Sequence, residues 1–105
     1  MRSFDNVYES NKAERMTPEQ LLAIYDSLSK GDTIRVKYED SWHGMVDKEF
    51  VVKKGKTKVG KFRMERITLV NPKNPKGLKY YFYQRNGRVS FAMGDMAGSL
   101  ISIER

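Results

Sequence analysis

The residues best equipped for chemistry in this sequence are Lys79-Tyr80-Tyr81-Phe82-Tyr83-Gln84-Arg85, where aromatic rings alternate with cations. Successive side chains of a strand point to opposite faces. Leu78, Tyr80 and Phe82 therefore fall on one face, which reads as core, and Lys79, Tyr81, Tyr83 and Arg85 on the other. The second set, which Arg88 extends beyond Asn86-Gly87, combines flat rings with positive charge. Sheet surfaces use that combination to stack bases while neutralising phosphates. Tyrosines packed under a helix or across a sheet would give the same pattern, so both readings stay open.

A second group is Lys53, Lys54, Lys56, Lys58, Lys61, Arg63 and Arg66, centred on an expected hairpin at Lys54-Gly55-Lys56. Lysines on a turn suit phosphate contacts that position a nucleic acid without reading its sequence. Lysines that guard strand edges against aggregation look the same. The third group is Ser41-Trp42-His43-Gly44, with the only tryptophan and the only histidine of the chain. In the loop expected there, Trp42 either stacks on a base or partner or covers the open end of the core.

Catalytic arrangements are sparse. His43 lies near Asp40, Ser41 and Asp47, but a nucleophilic triad needs those groups held at hydrogen-bond distance by rigid elements, and three such residues in one loop are ordinary loop chemistry. No catalytic residues are assigned. Cysteine is absent and one histidine is available, so neither a metal site nor a cofactor is expected. Glycine-rich phosphate cradles are missing as well.

Charge is distributed unevenly. The net charge is +7, yet residues 1 to 30 carry four basic and five acidic side chains. Between Lys53 and Arg88 there are 12 Lys or Arg against Glu65 alone. Self-repulsion on that scale favours a polyanionic partner, unless the lysines serve only to keep a small β protein dispersed.

The elements that must position these groups follow from the periodicity. At 105 residues one domain is expected, 16–105, behind a polar N-terminal arm, 1–15. Thr17, Pro18 and Gln20 form a capping-box start, and Leu21, Ile24, Tyr25 and Leu28 fall on one helical face, which predicts a helix over about 18–29 stopped by Lys30-Gly31. The period then changes to two. Ile34, Val36 and Tyr38 mark one strand, and Val46, Phe50 and Val52 the next. In the third, Phe62 and Met64 disagree in parity with Ile67 and Leu69, which predicts a bulge near Glu65 or Arg66. Residues 71–77, with Pro72 and Pro75, read as a surface loop. Asn86-Gly87 signals a type I′ hairpin, and 94–98 reads as a helical turn before a last strand.

The fold class is thus mainly β with one N-terminal helix (α+β), its sheet over 31–103. Five or six short antiparallel strands after the opening Gly31-Asp32-Thr33-Ile34-Arg35-Val36 resemble the SH3-like small barrel, including its KOW and Tudor varieties. The glycine that a KOW segment places soon after its first strand is displaced here to Gly44. A strongly bent five- to six-stranded sheet is the structural alternative.

The functional expectation is a small basic nucleic-acid-binding module with a regulatory role, for DNA or RNA. It would use Lys53, Lys54, Lys56, Lys58, Lys61, Arg63, Lys79, Tyr81, Tyr83, Arg85 and Arg88, with Trp42 as a further stacking or partner contact. The alternative is a protein-interaction module or inhibitor docking on an acidic partner surface. A third is a metal-independent ribonuclease built around His43 or Arg88, similar to the barrel-shaped mRNA interferase toxins, although the Gly-Asp-x-x-x-x-x-x-Pro opening of those proteins is absent. No apolar run reaches the roughly 20 residues that span a bilayer, and Met1 to Tyr8 lack the order of a secretory signal, so a cytoplasmic protein with no membrane partner is expected.

Overall fold

In the computed structural model the described residues are 15–60, 63–94 and 96–105. The expected arm, Lys61 and Phe62 lie outside them apart from Arg15. Helix α1 (Pro18–Ser27) starts where the sequence places it: the Thr17 side chain accepts from Gln20 N at 3.1 Å, and Gln20 Oε1 accepts from Thr17 N at 2.9 Å. These two bonds satisfy amide donors that the first helical turn leaves without partners. The helix ends earlier than expected. Leu28 is already extended, with its N–H bonded to Tyr25 O, and Gly31 (φ +96°) serves the turn into the first strand, where its N–H reaches Val52 O.

Six strands follow: β1 (Thr33–Asp40), β2 (Gly44–Val59), β3 (Met64–Asn71), β4 (Asn74–Arg85), β5 (Arg88–Met93) and β6 (Met96–Glu104). Each pairs antiparallel with its sequence neighbour, and β6 returns to β1, so the sheet closes into a barrel. Among the described residues, this closed six-stranded antiparallel barrel with one short helix is consistent with the small SH3-like type, and closure removes the open alternative. No helix among the described residues is long and apolar enough to cross a membrane.

Several strand boundaries differ from expectation. Lys54-Gly55-Lys56 is no turn. β2 runs through it, and the reversal comes at Gly60 and Arg63, both with positive φ. The extra residues are on β2, where register slips between Val52 and Lys54 and again between Lys54 and Thr57, while β3 stays regular against β4 from Glu65 to Val70. The predicted bulge near Glu65 thus sits on the facing strand, where Gly55 lets the ladder bend at little steric cost. Pro72 and Lys73 make a tight turn that pairs Asn71 with Asn74; residues 75–78 then bow out before Lys79 pairs with Val70. Of the helical turn expected at 94–98, Asp95 lies outside the described residues, and Met96 to Gly98 instead belong to β6, with Met96 paired to Met93. Asn86 and Gly87 both have positive φ, as a type I′ turn requires.

Inside the barrel, alternate residues of every strand form one core with Leu21, Tyr25 and Leu28 of the helical segment. Phe91 is its hub, with ring centroids 4.5 Å from Tyr38, 5.9 Å from Phe82 and 6.0 Å from Phe50. Burying a side chain of this size contributes about 1.5–3 kcal/mol. A slip of register opposite Lys37 and Tyr38 places the bulge at Ile101, which explains how Leu100 and Ile103, three residues apart, both point inward. β5 and β6 pair only over Phe91–Met93 and Met96–Gly98. Beyond that seam Met16 N donates to Ile101 O at 2.9 Å, and the helix it leads into packs on β5 and β6. Gly87 at the β4–β5 turn faces Leu22, which puts α1 at the barrel end that carries the β2–β3 and β4–β5 turns. Tyr25 Oη is buried there with no hydrogen-bond partner among the described residues. Burial first, and the neighbouring Glu65 carboxylate second, raise its pKa.

Candidate functional site

The parity of β4 holds over its central residues. Tyr80 and Phe82 are buried inside the barrel, while Lys79, Tyr81, Tyr83 and Arg85 face outward. Leu78, expected in the core set, stands 56% exposed, because the chain is still bowed away from β3 at that point. Cross-strand pairs assemble the outer face: Val70 against Lys79, Thr68 against Tyr81, and Arg66 against Tyr83. The short side chains Thr68 and Val70 are buried even on this outer face, so they form a floor beneath longer neighbours. Tyr81 and Tyr83 lie with centroids 5.7 Å apart, and the Arg66 guanidinium carbon sits 4.5 Å from the centre of the Tyr81 ring. A guanidinium at that distance gains from the ring quadrupole and itself offers a flat stacking surface.

Around this floor lies a hollow lined by Lys30, Lys53, Lys54, Arg66, Lys79 and Tyr81, with no carboxylate among its lining residues. The first bulge of β2, between Val52 and Lys54, explains the geometry, since it turns both Lys53 and Lys54 toward the same side. No ion pair engages any of these five cations among the described residues. Lys30 was missed in the sequence because it belongs to the turn after the helix, far from the lysine-rich strands.

Other predicted site residues lie elsewhere. Tyr83 borders a neighbouring hollow with Arg85 and Arg88, which face each other across the Asn86-Gly87 hairpin. Like charges directly opposite on paired strands destabilise the hairpin slightly. Lys58 and Arg63 line a third hollow beside Glu65. Lys56 is diverted: its ammonium bonds Asp26 of α1 at 2.7 Å and sits 5.5 Å from the centre of the Tyr25 ring. Charge elsewhere on the barrel is mixed. Across β1 and β2, Arg35 pairs with Asp47 at 3.2 Å and stands opposite Glu49 in register.

The loop between β1 and β2 is organised by one carboxylate. Asp40 accepts from Trp42 N at 2.8 Å and His43 N at 2.5 Å, while its second oxygen lies 3.1 Å from His43 Nδ1. The bond from the His43 amide leads the causes that lower the Asp40 pKa, and the His43 ring and Trp42 amide add to it. Asp40 is thereby committed to holding the turn, and Ser41 makes no hydrogen bond with His43 among the described residues. The fixed loop presents Trp42, 80% exposed, so the indole does not seal the core as one sequence reading had it.

Beside Trp42 the barrel end opposite α1 opens into a pocket of about 280 Å³. Tyr38 and Tyr80 form its floor from within the core, and Val46, Leu78, Met93 and Met96 its walls. Lys48 also lines it, with its ammonium 6.0 Å from the centre of the Tyr80 ring. Sequence reasoning did not find this pocket, because its residues come from three separate segments, 38–48, 78–80 and 93–96, which only barrel closure brings together. Comparison with known proteins adds no relative: no family model matches the sequence, and no curated protein or solved structure gives a significant match.

Proposed function

We propose that this protein is a nucleic-acid-binding module that engages phosphates on the outer face of β2, β3 and β4. The supporting observation is the hollow in which Lys30, Lys53, Lys54, Arg66 and Lys79 surround Tyr81 with no carboxylate among them. Lysines kept only for dispersal would gain from interspersed acids, as Arg35 does from Asp47 and Glu49. Here five cations converge, so the cost of their mutual repulsion is offset when a polyanion displaces their counterions. Tyr81, Tyr83 and the Arg66 guanidinium plane add a stacking surface that tolerates any base. Lys56, held by Asp26, contributes packing on α1 rather than a phosphate contact.

The test is an anisotropy titration with a labelled oligonucleotide at several salt concentrations. With about five phosphates neutralised, the logarithm of affinity falls against log salt with a slope of about −3.5 for a single strand and about −4.5 for a duplex. Changing both Lys53 and Lys79 to Glu lowers affinity for every sequence alike and flattens the slope, whereas Arg35→Glu on the mixed face changes neither. No binding even at low salt would sink the proposal, and retention of an acidic protein from nuclease-treated extract by the same lysines would redirect it to a protein partner.

A further inference from the structure

We infer that the open mouth of the barrel takes an unpaired base of a single strand whose phosphates run over the adjoining basic hollow. The inference rests on the proposed nucleic-acid function and narrows it to single-stranded substrates. Its first ground is continuity. Leu78 and Tyr80 line the mouth while Lys79, the residue between them, lines the hollow, so the two depressions share the wall formed by β4. One residue of strand rises only about 3.3 Å. A backbone held at Lys79 is therefore within a nucleotide's reach of the mouth.

The second ground is the chemistry of the pocket. Tyr38, Tyr80 and Trp42 offer aromatic surface, and Leu78 and Met96 at the rim stand 56% and 49% exposed. Exposed apolar groups that cluster around a concavity mark a binding site more often than scattered ones do. A nucleobase is flat and weakly solvated on its faces and polar at its edge. One polar group suited to that edge is present: Lys48 has the inward parity of Val46 and Phe50, an unusual place for a cation in a barrel, and it stands over Tyr80 at the mouth. Asp40, the one acid lining the pocket among the described residues, stays ionised, but its oxygens are engaged by the Trp42 and His43 amides and the His43 ring.

Preorganisation is the third ground. Three contacts to Asp40 hold the main chain of the loop that carries Trp42, so the backbone presenting the indole is set before any ligand arrives. The ordering cost when a base stacks there is then confined to the side chain. Bases within a duplex are paired and stacked, and cannot enter a mouth of this size without being extruded.

Trp42 is the sole tryptophan, which makes its fluorescence a direct report on the mouth. The experiment follows anisotropy and tryptophan emission together as the full chain is titrated with an oligothymidylate of about 12 nucleotides, its abasic counterpart and the matching duplex. The expected result is saturable quenching by oligothymidylate at the same midpoint as the anisotropy change. The abasic strand and the duplex should bind at least about tenfold more weakly without quenching, and Trp42→Ala should cost oligothymidylate a similar factor while leaving the abasic strand unaffected. Tight binding of oligothymidylate with unchanged emission, or equal binding of the abasic strand, overturns base insertion but leaves phosphate recognition standing. Failure of all three to bind removes both. Emission that shifts on dilution of the protein alone assigns the mouth to a second copy of the chain and overturns the inference.

Discussion

The two ends of the barrel are built from the same kinds of side chain and finished in opposite ways. At one end Leu21, Tyr25 and Leu28 enter the core cluster, brought there by a helix that a capping box starts and a bond from Met16 to Ile101 anchors. At the other, Trp42, Leu78 and Met96 have comparable apolar surface but remain largely in solvent. Apolar content therefore does not decide which end is sealed; the local backbone does. A helix docks its stripe as a unit, whereas the Asp40-bound loop holds Trp42 away from the interior. The sealed end serves stability, and the open end leaves a concavity of about 280 Å³ beside the basic face.

If that division is right, truncation at the sealed end has the largest effect. Leu21→Ala removes a side chain that is 7% exposed and leaves a void in the core cluster beneath α1. A loss of about 2–5 kcal/mol in unfolding free energy is expected from urea denaturation. Met96→Ala at the mouth is the paired measurement. A comparable loss for Met96→Ala would mean the two ends are energetically alike and would break the comparison.

The same contrast explains what could be read from the sequence. The helix start was legible because Thr17, Pro18 and Gln20 act on neighbouring amides, and the central parity of β4 because alternation is a local property. Lys79, Tyr81 and Tyr83 were accordingly placed on the outer face. The route of β2 was not legible. Lys54-Gly55-Lys56 has the composition of a turn, and only pairing with β3 shows that the glycine is spent on bulges. The convergence of Lys30 with Lys53 and Lys79 depends on those bulges and on the turn after α1, which local pattern does not encode. The mouth depends on barrel closure, which brings Tyr38, Trp42, Leu78 and Met96 together from distant positions.

A second prediction sharpens the comparison in alkaline solution, using a phenol at the open end. Burial first, with smaller contributions from Tyr80 and Asp40, pushes the Tyr38 pKa up to about 12. An unfolded tyrosine titrates at about 10. Between these values the folded state retains a proton that the unfolded state has lost, so stability is full below about pH 10 and declines toward about pH 12. Tyr38→Phe should flatten that part of the decline in stability measured across the range. A Tyr38 phenol found by spectroscopic titration to ionise near its unfolded value would mean that the mouth is wetter than the geometry indicates.

The smallest expected effect is at Trp42. Its indole is 80% exposed and its loop is held by main-chain amides rather than by the ring, so Trp42→Ala removes little buried surface and no hydrogen bond of the Asp40 turn. Thermal or urea unfolding followed by circular dichroism should place the change within about 0.5 kcal/mol. This near-zero value is what separates a residue kept for a partner from one kept for the fold. A loss of several kcal/mol would place Trp42 in the structural class of Leu21, and the mouth would then be a second seal of the core.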